Sequence, residues 1–143
     1  MLFRSRIAAS EWWAALRARY AHDPAHFTAL PDGCEKVLPQ DLFDSVADNL
    51  LTNALRKRKA EGGTVSVKAA LACADHVALI VEDDGEPAPE HVARNLFLGP
   101  VSSEMGLGVG LYQAARQAAQ FGYALSLAEN RAGCVRFELS KQN

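Results

Sequence analysis

The chain has 143 residues, 49% of them apolar, which is enough for one domain with a sizeable core and too apolar for a disordered chain. A formal net charge of −2 gives no electrostatic case for nucleic acid as a partner. No apolar run approaches the roughly 18–20 residues of a membrane span, and the start, Met1-Leu-Phe-Arg-Ser-Arg6, lacks the apolar core of a signal peptide. The three cysteines, Cys34, Cys73 and Cys134, are scattered and odd in number, which reads as reduced thiols in a cytoplasmic setting without a metal site.

In chain order, Ser10 is placed to cap a helix through about Tyr20, with Trp12, Trp13, Leu16 and Tyr20 as its apolar stripe. Adjacent tryptophans point to a core or an interface. His22-Asp-Pro24 breaks the helix, His26 to Leu30 reads as a short strand, and Pro31-Asp-Gly33 as a turn. The longest helix is expected from about Pro39 to Ala60, ended by Gly62-Gly63. Its apolar face is Leu42, Phe43, Val46, Ala47, Leu50, Leu51, Ala54 and Leu55.

The other side of that helix carries Ser45, Asn49, Thr52, Asn53 and Arg56. Asn49 and Asn53 are one turn apart and Arg56 follows, so all three can point into one space. Asparagine is a poor mid-helix residue. A polar pocket explains the pair better than a plain solvated face, which Lys or Glu would suit.

Two alternating strands follow, Thr64–Cys73 and His76–Asp83, joined by Ala74-Asp75 as a hairpin. The period of two puts Asp83 in the row of Val77, Leu79 and Val81, a buried carboxylate that needs donors. The amino group of a purine could be one; an ordinary strand-end turn, Asp83-Asp84-Gly85, is the commoner reading of such residues. After Pro87 and Pro89, Glu90–Leu96 reads as a short helix, and 98–105 as a loop. Gly106, Gly108 and Gly110 then open a helix through Phe121, with Leu111, Ala115 and Ala118 on one face and Gly122 at its stop. Bare backbone at a helix N-terminus can cradle a phosphate; an Ala-rich core helix with flexible glycines is the alternative. The spacing is neither a Walker loop nor a dinucleotide fingerprint. Tyr123–Ala128 and Cys134–Leu139 form a last hairpin around Asn130-Arg-Ala-Gly133. This order describes a two-layer α/β sandwich, helices covering one face of a mixed, mostly antiparallel sheet.

Asp48-Asn-Leu-Leu-Thr-Asn-Ala-Leu-Arg56 resembles the N box of histidine-kinase ATP-binding domains. Val81-Glu-Asp-Asp-Gly85 and Gly106-Leu-Gly-Val-Gly-Leu111 resemble their two glycine boxes, and Asn95-Leu-Phe-Leu-Gly-Pro100 their phenylalanine box. The four stand in the family's order over roughly residues 10 to 140. The resemblance implies the Bergerat α/β sandwich, shared with gyrase and mismatch-repair ATPases, with 1–143 as a single domain, 1–8 a flexible start and 97–105 an ATP lid.

It also implies roles. Asn53, with Asn49 beside it, would hold Mg²⁺; Arg56 would face phosphate; Asp83 would accept the adenine amino group; Gly85 would let the ring approach. Phe97 would anchor the lid, and Gly106, Leu107, Gly108 and Gly110 would wrap the triphosphate. The implied function is transfer of the γ-phosphoryl group of Mg-ATP to a histidine on a separate dimerisation segment. A response regulator acts downstream, and the domain is cytoplasmic, whether or not a longer parent is membrane-anchored. The alternatives are an anti-sigma-type serine kinase and a degenerate nucleotide-binding or scaffold domain. Two departures stand out. Gly85-Glu-Pro87 replaces the usual glycine, any residue, glycine. Lys57 and Arg58 follow Arg56 where many relatives carry an aromatic residue.

Overall fold

The computed structural model describes residues 6–30, 34–98 and 108–142. Its elements are β1 (Arg6–Ala8), α1 (Ala9–Arg19), β2 (Ala25–Phe27), β3 (Val37–Pro39), α2 (Gln40–Ala60), β4 (Val67–Cys73), β5 (Val77–Asp83), α3 (Glu90–Asn95), α4 (Gly108–Gln120), β6 (Tyr123–Arg131) and β7 (Cys134–Lys141). The main sheet has the order β2-β4-β5-β7-β6, and β1 pairs with β3 in a small second sheet. Only β2 with β4 is parallel; β4–β5, β5–β7 and β6–β7 are antiparallel.

The alternation read from the sequence sets the register. Ala69 faces Val81, Leu71 faces Leu79, and Leu139 stands between Leu79 and Leu125. All of these are buried in one row system beneath the helices. From the helices, α2 contributes Leu42, Phe43, Val46, Ala47, Leu50, Leu51 and Ala54, and α4 contributes Leu111, Ala114 and Ala118. The two-layer α/β sandwich is therefore observed, with a mixed, mostly antiparallel sheet.

α2 carries Pro39 at its N-cap, where a missing N–H costs nothing. It ends in a Schellman arrangement: Gly63 N–H donates to Arg58 O at 2.8 Å and Gly62 N–H to Lys59 O at 3.3 Å. Gly62 and Gly63 have φ of +84° and +83°, a region costly for any other residue. Lys57, Arg58 and Lys59 in the last turn complement the helix dipole.

α1 braces α2. Trp12 and Trp13 are core residues, 1% and 2% exposed. The Trp12 ring meets Phe43 edge-on at 5.4 Å, and Phe43 meets Tyr123 at 5.5 Å. The Trp12 indole N–H donates to Asp44 Oδ1 at 2.8 Å, and that of Trp13 to Thr28 O at 2.9 Å. At the other end of α1, the Tyr20 hydroxyl donates to Asp48 Oδ1 at 2.8 Å, beside Arg19 at 2.9 Å from the same oxygen. Burial, and then the hydrogen bond and charge of Asp48, push Tyr20 from 10.0 up to about 12. The folded value lies above the unfolded one, so this contribution is whole below pH 10 and fades as pH climbs to about 12. A tyrosinate absorbance titration should place Tyr20, identified by the difference from Tyr20→Phe, near 12, and Asp48→Asn should lower it. A Tyr20 titrating at its ordinary value would contradict this packing.

Several expectations are corrected. Ser10 does not cap α1; the N-cap is Ala8, without a side-chain bond. Residues 6–8 are not a flexible start but a strand whose Ile7 faces Leu38. Cys34 and Cys73 are not reduced thiols: they form a disulfide with Cα atoms 6.0 Å apart, and Cys134 is free and buried. Cys34 and Cys73 are 39 residues apart in sequence, and the fold alone brings the segment before β3 to the end of β4. The last hairpin turns on Ala132-Gly133, since the strands extend to Arg131 and restart at Cys134. The Pro31–Gly33 turn and the 99–105 loop lie outside the described residues.

Candidate nucleotide site

α2 presents Asn49, Asn53 and Lys57 at successive intervals of four, one row along the helix. At 1.5 Å per residue the row is about 12 Å long. One end meets the start of α4, and the other meets the end of β5. Asn49 is half-buried; its Nδ2 donates to Ser45 O at 2.9 Å, which orients Oδ1 towards α4. A Cβ built on Gly110 would stand 2.3 Å from Asn49 Oδ1, so any other residue there would push the Asn49 amide out of its present place. Asn53 Oδ1, further along, accepts from Arg56 Nη1 at 3.4 Å. Asn49, Asn53 and Arg56, grouped by their spacing, thus share one side of α2.

At the far end of the row, Asp83 closes β5 as the one buried charged residue among those described, 7% exposed. Its Oδ1 accepts the Gly85 N–H at 2.9 Å and lies 2.8 Å from Lys57 Nζ. Lys57 also donates to Glu86 O. The alternation of β5 places Asp83 correctly in the buried row, but no sequence pattern signals that α2 itself supplies its cation. The sequence marks Lys57 by its position one turn after Asn53 and as a departure following Arg56, and neither sign points to Asp83.

The segment after Gly85 is held by a second residue, Asn130, whose residue type signals only a turn. Asn130 accepts the Ala88 N–H through Oδ1 and donates through Nδ2 to Ala88 O, both at 2.9 Å. Gly133 N–H also reaches Gly85 O at 3.4 Å. A loop fixed from the β6–β7 hairpin does not need the glycine that Pro87 replaces. Phe97, half-buried, meets Phe137 edge-on at 6.3 Å, which ties the segment before the expected lid to β7. Gly108 and Gly110 stand in the first turn of α4, and the first N–H groups and dipole of a helix favour an anion. Gly106 and Leu107, and residues 99–105 of the expected 97–105 lid, lie outside the described residues.

The donor set suits a hard cation that keeps most of its own water. Asn49 and Asn53 offer amide oxygens, and the described residues contain no group of three or more His, Cys, Asp or Glu that could hold a metal. Two amide oxygens beside an anion site fit Mg²⁺ brought in with phosphates and not a cage for a free metal.

A sandwich with a polar helix row between a glycine-started helix and a buried strand-end carboxylate is the architecture of a nucleotide-binding ATPase domain. A family model described as histidine kinase-, DNA gyrase B- and HSP90-like ATPase matches residues 39–143, and the chain belongs to that family. The catalytic domain of the histidine kinase ThkA superposes with a TM-score of 0.74 at 19% identity, over 99% of this chain and 96% of that one. The mycobacterial sensor histidine kinase MprB gives 0.68 at 18%, over 99% and 100%. Full-length ShkA, solved in complex with AMPPNP, gives 0.75 at 17%, over 98% of this chain and 31% of that one. At these identities the structures establish the shared Bergerat fold. No curated protein sequence matches the chain.

Proposed function

We propose that this chain is the ATP-binding catalytic domain of a sensor histidine kinase, which presents Mg-ATP to a histidine on a separate dimerising helical segment. The observation that carries the reading is the polar row on α2, running from the glycine-started helix to the buried Asp83 within a chain of this ATPase family. In it, Asp83 takes the base through its amino group, and Gly85 gives the ring room. The backbone of α4 around Gly108 and Gly110 takes the phosphates with Arg56, completed by Gly106 and Leu107. Asn53 and Asn49 hold Mg²⁺, which supplies charge neutralisation on the phosphate oxygens. Phe97 anchors the lid.

In the transfer, a histidine ring nitrogen forms a bond to the γ-phosphorus as the bond to the bridging oxygen of ADP breaks. The electron pair leaves with ADP. Such a reaction asks for positioning and electrostatics more than for covalent chemistry from the protein. The acceptor is assigned to another segment because no histidine here suits the part. His22, His26 and His76 stand outside the helices, and His91 stands on a helix of only six residues, α3. A response regulator receives the phosphoryl group next. No helix among the described residues is long and apolar enough to cross a membrane.

The test is incubation with γ-labelled ATP and Mg²⁺, with and without a matching dimerisation segment. Acid-labile, alkali-stable label should appear only on the added segment. Label on the 143-residue chain alone would defeat the assignment of the acceptor. Acid-stable label would move the reaction to serine.

A further inference from the structure

Lys57 fills both places that the nucleotide reading gives to a purine. Its ammonium lies 2.8 Å from Asp83 Oδ1 and donates to Glu86 O. Its stem lies against Gly85: a Cβ there would stand 2.9 Å from Lys57 Cε, with Glu61 Oε1 and Val65 Cγ2 each at 3.1 Å beside it. One side chain therefore covers the carboxylate that would read the base and the glycine that would admit the ring. We propose that Lys57 is a gate on the base pocket, an ammonium that stands in for the amino group of an aminopurine and withdraws when such a base binds. The proposal rests on the nucleotide reading of the site and adds the residue that controls entry to it.

The physical argument concerns what Asp83 needs. A carboxylate 7% exposed is costly without donors, and the Gly85 N–H alone is a small complement for a full charge. Lysine supplies the rest. Its side chain is 23% exposed, and its four-carbon stem can rotate out to solvent while α2 stays in place. Leaving removes a donor from Asp83, so the opening is unfavourable unless the ligand returns one. The amino group of adenine does so. A 6-oxopurine presents an acceptor instead and leaves two acceptors facing each other. Every nucleotide meets the closed gate, but only an aminopurine repairs the contact that opening breaks. Because the open form is a minor one, the apparent affinity for any base is lowered by its population.

The experiment compares the full chain with Lys57→Ala, Lys57→Met and Lys57→Arg for binding of ATP and inosine triphosphate by calorimetry, with circular dichroism to confirm folding. Lys57→Ala should bind ATP about tenfold more tightly than the wild type, the factor expected where the gate is closed in about nine molecules of ten. Inosine triphosphate meets the same closed gate and should gain by the same factor, so the preference for ATP, which Asp83 sets, should stay as in the wild type. Lys57→Met keeps a stem over Gly85 without the charge and should gain an intermediate amount. Lys57→Arg keeps the ion pair and the fold and should gain nothing. Unchanged ATP affinity in the folded alanine and methionine variants would overturn the gate while leaving the nucleotide site standing. Weaker ATP binding in both would also overturn it and make Lys57 a direct ligand of the base. If neither the wild type nor any folded variant binds a nucleotide, the nucleotide reading fails and the gate with it.

Discussion

Trp12→Ala should lower the stability of the domain by about 3–5 kcal/mol, the cost of emptying a large aromatic site in a core. Trp12 is 1% exposed, stands edge-on to Phe43 and donates its indole N–H to Asp44. Truncation loses the burial, leaves a cavity between α1 and α2, and strips Asp44 of a donor, leaving it Arg19 at 3.6 Å. Against a typical total of about 5–15 kcal/mol, this is enough to bring the domain close to unfolding. Urea unfolding should show a lower midpoint with an unchanged slope. Trp12→Phe should fall between, since it keeps a ring beside Phe43 but no N–H. A loss under about 1 kcal/mol, the scale of an ordinary surface change, would mean that α1 is not the brace described. The fraction that stays folded should keep its nucleotide affinity, because the contacts of Trp12 with α2 fall on Phe43 and Asp44, outside the polar row.

Asp83→Ala should weaken ATP binding about ten- to hundredfold, the range expected for a hydrogen bond to a charged acceptor. Most of the preference for ATP over GTP should go with it. The variant loses the acceptor for the base amino group and the anchor of both the Gly85 N–H and Lys57. Those two effects pull apart in the measurement. Loss of the base contact lowers affinity for ATP, whereas a released Lys57 affects all nucleotides alike. The ratio of ATP to GTP affinity is therefore the informative quantity. A ratio unchanged from a selective wild type, or a wild type without selectivity, would remove Asp83 from base recognition.

The parts of the fold legible in the sequence are those with a sustained period. The 21 residues of α2 show a broad apolar face and glycines at their stop, and β4 and β5 alternate through seven residues each. The missing parts depend on contacts that no local pattern records. β1 and β3 are three residues each, and their pairing joins residues 6–8 to 37–39. The disulfide and the parallel β2–β4 pair likewise follow from the fold. At the site, an interval of four on one helix is a local pattern, so Asn49 and Asn53 group by spacing alone. The Lys57–Asp83 pair joins a helix to a strand 26 residues later, and only the packing of α2 on β5 brings the two together. Asn130 is concealed for a similar reason: its residue type fits a turn, while its partner, Ala88, lies 42 residues earlier.

The clamp that Asn130 places on Ala88 has a consequence for the kind of rim the base pocket can have. Between Asp84 and Pro89, the two prolines bring no amide hydrogen. The amides of Asp84, Gly85 and Ala88 are committed to Ser66 O, Asp83 Oδ1 and Asn130 Oδ1. Only the amide of Glu86 stands outside this count. The strand end and its loop therefore keep few backbone hydrogens to give, and their carbonyls at Gly85, Glu86 and Ala88 each already accept one bond. In the proposed pocket, what is left over is the carboxylate of Asp83, a group that suits partners carrying protons, whether the ammonium of a lysine or the amine of a base.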